Sequence, residues 1–202
     1  KYKKKYGKKV VLYCLDLWPE SLTLGGIKKN GLIYRYYKKI AQKIYGNVDE
    51  IVVSSRMFRN YFEDVFKIKK DKVQYLPQYA EDVFFPIEVD SDNLLNISFA
   101  GNIGTTQSID IILYAAQKIK GENIHFHFYG DGSGFNKMLS LCKKLQLDNV
   151  TFHGRVPLEE LPEIYAKSDA LIVTLSDNEV LSMSFPGKIQ SYMAAGKPIV
   201  AA

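Results

Sequence analysis

Apolar and polar positions follow two rhythms along this chain. Short apolar runs rich in β-branched and aromatic residues recur at 10–15, 51–54, 72–76, 94–100, 124–129, 150–153, 170–175 and 199–202 and read as strands. Between them the spacing turns helical. The first such stretch is 32–45, with Leu32, Tyr36, Ile40 and Ile44 on one stripe; 57–66, 109–119, 135–146, 158–167 and 187–195 follow. Glu159 and Glu160 suit the positive end of the 158–167 helix, and Gly196 stops the last helix at a C′ position. Strands alternating with helices imply βαβ units and parallel sheets. Residues 77–92 carry two prolines, several acids and little periodicity, the mark of an interdomain linker. The expected fold class is α/β, with two Rossmann-like doubly wound parallel-sheet domains and a boundary between 1–86 and 87–202.

Composition narrows this picture. Hydrophobic residues are 47% of the 202 and charged residues 24%, enough for a packed core. No run of 18 apolar residues is present, and the apolar run after the basic start ends at Asp16, too soon for a signal peptide. Cys14 and Cys142 lie far apart without metal-ligand or disulfide spacing, so reduced thiols in a cytoplasmic protein are expected. The chain opens without methionine and stops on an apolar run at 198–202, which suggests a fragment of a longer protein. The net charge of +5 is local. It gathers at Lys1, Lys3, Lys4, Lys5, Lys8 and Lys9, and again at Lys28, Lys29, Arg35, Lys38, Lys39 and Lys43. Such groups form a solvated surface or attract anionic lipid headgroups. No basic-aromatic module points to nucleic acid.

Candidate chemistry lies where strands end, because ligands of open parallel sheets bind beyond the carboxyl ends. Three features fall there: GNIG at 101–104, GDGSG at 130–134, and SFPGK at 184–188 opening a helix. Glycines let backbone approach a ligand and expose N–H groups to phosphate. A helix start favours an anion, and Lys188 adds a full charge, so the three features together suit a diphosphate held without a metal. Each feature alone is also ordinary turn or cap chemistry; three at successive strand ends of one sheet carry the argument. GDGSG is not the dinucleotide fingerprint. His125 and His127 share a strand face, and with His153 they suggest no metal site. The pairs Glu81–Asp82 and Glu159–Glu160 are expected to face water.

The ordered series SFAGNIGTTQSIDIILYAA, HFYGDGSG, VTFHGRVPLEELPEIYAKSDALIV and FPGKIQSYMAAGKPIVAA resembles the family 4 retaining glycosyltransferases of GT-B architecture. Upstream, DLWPESL and VDEIVVSS resemble the later part of the family's N-terminal domain, and the DLWPES and GNIGTTQS forms look most like bacterial enzymes of capsule, O-antigen and exopolysaccharide assembly. The resemblance implies transfer of a sugar from a nucleoside diphosphate donor to an acceptor, often a lipid-linked saccharide, at the inner face of the cytoplasmic membrane. It makes 1–86 the end of an incomplete acceptor-side domain and 87–202 the nucleotide-sugar domain. It implies that Gly101, Asn102, Ile103 and Gly104 lie near the diphosphate and sugar, and Gly130, Asp131 and Gly132 under the nucleotide. Arg155 and Val156 would border the base; Ser184, Phe185, Pro186, Gly187 and Lys188 would meet the distal phosphate or sugar. Asp16, Trp18 and Glu20 would face the cleft, with Trp18 either stacking on a sugar ring or packing the domain. No cofactor is implied beyond the donor itself.

The sequence departs from the family pattern where many relatives carry two Glu residues with seven between. Those positions are Met183 and Ser191 here, leaving Glu179 or Ser191 as stand-ins for the ribose-binding carboxylate. A usual Arg and Lys correspond to Asn102 and Gln107, which makes Lys188 the candidate positive charge, with Asn102 beside it in the catalytic set. The alternatives are a non-hydrolysing sugar-nucleotide epimerase, which needs converging acids and histidines, and a non-catalytic membrane-associated binding module.

Overall fold

The computed structural model describes residues 2–89 and 93–202; Lys1 and the end of the expected linker, 90–92, lie outside the described residues. The chain folds as two compact units, Lys1–Gln78 with Asp177–Phe185, and Tyr79–Ser176 with Pro186–Ala202. The expected single boundary at 86/87 is thus replaced by two exchanges. Residues 79–89 pack with the second unit, and 177–185 return to the first.

The first unit runs α1 (Tyr2–Tyr6), β1 (Val11–Cys14), α2 (Ser21–Leu24), α3 (Leu32–Asn47), β2 (Glu50–Val53), α4 (Arg56–Phe66) and β3 (Val73–Tyr75). Its strands pair in parallel in the order β1-β2-β3. Leu17, Ala41, Tyr45, Ile51, Val53, Phe58, Phe62 and Val73 form its core. Helix α4 starts where the Ser55 hydroxyl accepts the Met57 N–H, and it ends at Lys67 in a left-handed conformation.

Helix α3 corrects an expectation. Its buried face is Tyr34, Ala41 and Tyr45, while of the stripe named from spacing Leu32 (85%), Tyr36 (62%) and Ile44 are exposed and Ile40 is half-buried. Two phenol hydroxyls explain the choice. Tyr34 donates to the Glu20 carboxylate and Tyr45 to the Trp18 carbonyl, so both rings are buried with their polar ends paired.

The second unit runs β4 (Leu95–Ala100), α5 (Ile109–Lys118), β5 (Ile124–Tyr129), α6 (Phe135–Lys144), β6 (Val150–Gly154), α7 (Leu161–Ala166) and β7 (Ala170–Val173). After α8 (Glu179–Ser182), which belongs to the first unit, α9 (Lys188–Ala194) and β8 (Ile199–Ala201) complete it. All pairings are parallel, in the order β6-β5-β4-β7-β8. Strand alternation sends Phe99, Phe126 and Phe128 to a core with α5 and α6. Ala100, Leu171 and Val173 face a second core with Tyr165, Tyr192 and Phe84. Both cysteines are free and buried, and burial pushes the Cys14 thiol up to about 11.

The other residues of β5 and β6 build a histidine cluster. His127 bonds His153 at 3.0 Å and the Asn96 side-chain oxygen at 3.0 Å, and His125 bonds the Thr151 hydroxyl at 2.8 Å. Burial lowers all three, and His127, facing the other two, falls to about 4. The unfolded chain therefore takes up protons first. Stability is full above about pH 6.5 and declines as pH falls toward His127's own value. With half-exposed rings the loss is on the order of 1 kcal/mol, or about 5 °C in Tm. Thermal melts from pH 8 to 5 should show it, and His127→Gln should flatten the profile; equal slopes for both proteins would count against this account.

Candidate functional site

The chain leaves β4 toward β5 and β6 on one side, then crosses to β7 on the other, so the strand order reverses beside β4. A crevice at the carboxyl ends is the expected ligand position in such sheets. A cavity of about 470 Å³ lies there, lined by Gly101 and Asn102 after β4, Tyr129 to Gly132 after β5, and Arg155 and Val156 after β6. The three turns are locked together. Gly101 donates to the Tyr129 carbonyl at 2.9 Å, Ile103 to Asp131 at 2.8 Å, and Gly130 to Gly154 at 2.7 Å. Gly130, with φ +139°, lies so close to Gly101 that a side chain there would meet the Gly101 carbonyl oxygen.

This changes the role of the glycine turns. The N–H groups of Gly101, Ile103 and Gly130 go to neighbouring carbonyls, that of Gly132 to the Asp131 side chain, and that of Gly104 to Gln107. Ile103 is wholly buried in the core, and Gln107 accepts from Gly104 and Thr106, closing its own turn. The turns shape the cavity, and the N–H groups just named are taken, which leaves a side chain as the source of any full positive charge beside it.

Lys188 is placed for that. It begins α9, a helix of only seven residues, with Pro186 and Gly187 before it. Its Nζ is buried, has no hydrogen-bond partner among the described residues, and sits 3.6 Å from the Phe99 ring centroid. It lies against Gly101, where a Cβ would come within 2.9 Å of the amine. Burial lowers its pKa to about 7. A buried amine without a counter-charge is costly unless it gives up its proton or gains an anion. One turn along α9, Ser191 is buried and donates to the Glu81 carboxylate at 3.1 Å. Tyr192 fixes the helix on the sheet, bonding Ala100 through its hydroxyl.

In the first unit, Asp16 is exposed beyond β1. Trp18 packs its ring edge-on to Tyr37 at 5.5 Å and stays 38% exposed, so it is neither buried nor free. Glu20 is 4% exposed and accepts from Tyr34 and Tyr61. Among the described residues no group of three or more His, Cys, Asp or Glu is arranged to hold a metal ion.

Residues 95–202 match the family described as Glycosyl transferases group 1. The chain belongs to that family. The protein named "Probable glycosyltransferase WbjE" of Pseudomonas aeruginosa is 31% identical over 212 residues, covering 96% of this chain and 51% of the relative. Anabaena HepE, solved in complex with UDP-glucose, superposes with a TM-score of 0.75 at 13% identity, over 98% of this chain and 54% of that one. WaaG, a glycosyltransferase involved in lipopolysaccharide biosynthesis, superposes at 0.76 with 14% identity, over 99% and 60%. These neighbours are GT-B glycosyltransferases and share this chain's parallel α/β fold. The chain spans about half the length of the curated relatives it matches.

Within this group 1 chain, the second unit brings together Gly101, Asn102, Gly130, Asp131, Gly132, Arg155 and Val156 at one cavity, with Lys188 against Gly101. Ser184, Phe185 and Glu179 belong instead to the first unit, where Glu179 pairs with Lys29 at 3.2 Å and Ser184 donates to Val180. Glu81 and Asp82 are both exposed, as their adjacency leads one to expect, but Glu81 also accepts from Ser191, and nothing local signals a serine 110 positions away.

Proposed function

We propose that the protein moves a sugar, with retention, from a nucleoside diphosphate sugar to a saccharide acceptor during assembly of a bacterial surface polysaccharide. The observation that carries this is Lys188: a buried, unpartnered amine beside the glycine-walled cavity at the switch point. As donor cleaves, negative charge builds on the departing diphosphate. Lys188 would balance it, aided by Arg155 at the cavity wall and without a metal. To Glu81, which accepts from Ser191, we assign the carboxylate role that the usual family positions lack. Family membership, the likeness to the probable glycosyltransferase WbjE and the part of WaaG in lipopolysaccharide biosynthesis support the reading. The three histidines that an epimerase would need do not line this cavity.

A lipid-linked acceptor fits the outer face of α3. Leu32, Ile33, Tyr36 and Ile44 are exposed there, and Arg35, Lys39 and Lys43 flank them with no ion pair among the described residues. That pairing of apolar strip and cationic row suits an anionic membrane surface. Sedimentation with phosphatidylglycerol vesicles should retain the protein at low salt, and Leu32→Glu/Tyr36→Glu should release it. The activity itself is tested by thermal shift with UDP, GDP and ADP; no stabilisation by any of the three would remove the donor reading.

A further inference from the structure

The first unit holds a separate cavity of about 400 Å³, walled by α3, α4 and the returning 177–185 segment. Glu20 is its most deeply buried acid. One carboxylate oxygen accepts from Tyr34 at 2.6 Å and the other from Tyr61. Burial, reinforced by Glu20, pushes both phenols up, so each stays a donor locked onto the carboxylate. A carboxylate has about four acceptor positions, and the tyrosines use two of them. No cation pairs with Glu20 among the described residues. A buried acid with acceptor capacity to spare, opening into a cavity, is built to receive hydrogens from a ligand.

The remaining walls say which ligand. Lys38 and Asn60 bring N–H donors, Asp64 another acceptor, and Met57, Val180 and Met183 an apolar strip. A cationic ligand would meet Lys38, and an anionic one Glu20 and Asp64. An uncharged ring with an apolar face and a hydroxyl rim suits all of them. The wall formed by 177–185 is fixed: Ser55 donates to the Met183 carbonyl at 2.5 Å, Asn178 caps Val180 at 2.8 Å, and Lys29 pairs with Glu179 at 3.2 Å. We propose that this cavity binds a neutral sugar ring, with Glu20 accepting a hydroxyl hydrogen from it. The choice of a sugar rests on the glycosyltransferase reading; the cavity and its polarity do not.

Saturation-transfer NMR of the protein with methyl hexosides and methyl N-acetylhexosaminides tests this directly. At least one glycoside should receive transfer. Met57→Trp, an exposed helix position that narrows the cavity without touching the core, should weaken binding at least tenfold at an unchanged Tm. Glu20→Gln should weaken it as well. No transfer to any glycoside, or undiminished binding by Met57→Trp, overturns the proposal, as does displacement by spermidine or inorganic phosphate. A nucleoside diphosphate thermal shift is run in parallel. If that shift persists while glycosides fail, the cavity proposal alone falls; if glycosides bind and no nucleotide shifts the protein, the donor reading falls.

Discussion

Replacing Lys188 by methionine is expected to abolish the thermal shift given by a nucleoside diphosphate and to lower turnover roughly 10²–10³-fold. Methionine keeps an apolar stem beside the Phe99 ring and removes only the charge. The ligand-free variant should be at least as stable as the parent, because an unpartnered buried amine is a cost. A folded, nucleotide-blind protein is therefore the specific outcome. The parent should also show a pH signature. Burial brings Lys188 down to about 7, and on the proposed donor reading a diphosphate beside it would hold the proton on. Apparent affinity should fall as pH rises above about 7, by up to about tenfold per unit, while the variant stays flat. Isothermal titration at pH 6.5 and 8.5 checks both; undiminished binding by the variant would sink the assignment.

Gly130→Ala should be the most destabilising small change in the second unit. Its φ of +139° is strained for any side chain, and a Cβ would run into the Gly101 carbonyl. The two turns would have to separate, breaking the Gly101–Tyr129 and Gly130–Gly154 bonds. A cost of about 2–3 kcal/mol follows, or roughly 4–12 °C. Gly121→Ala is the control, since Gly121 has φ +94° but open space around it. It should cost about 1 kcal/mol. Equal Tm losses for the two would mean that the turn packing contributes nothing beyond backbone strain.

The strands of the second unit were legible because burial there follows local alternation. In β5, phenylalanines at 126 and 128 face the core and histidines at 125 and 127 do not, as period two requires. Lys188 stands out in the sequence as a charge at a helix start, and in the structure as a buried amine with no hydrogen-bond partner among the described residues. What stayed hidden was set by distant partners. The return of 177–185 to the first unit depends on Ser55 reaching Met183 and on the burial of Val180. The inward face of α3 depends on acceptors at Glu20 and Trp18 that no helical periodicity encodes.

The segment 79–89 also bears on how such proteins are recombined. The family match begins at residue 95, yet Phe84 stacks on Tyr165 at 5.2 Å, Pro86 lies under Gly196, and Glu81 takes the Ser191 hydroxyl. A chimera spliced at the edge of the matched region would inherit the sheet of the second unit without its strap. It would expose the Tyr165 ring and leave Ser191 without its carboxylate. Grafting this half onto another first unit therefore requires a junction before Tyr79, so that the strap travels with the sheet it serves.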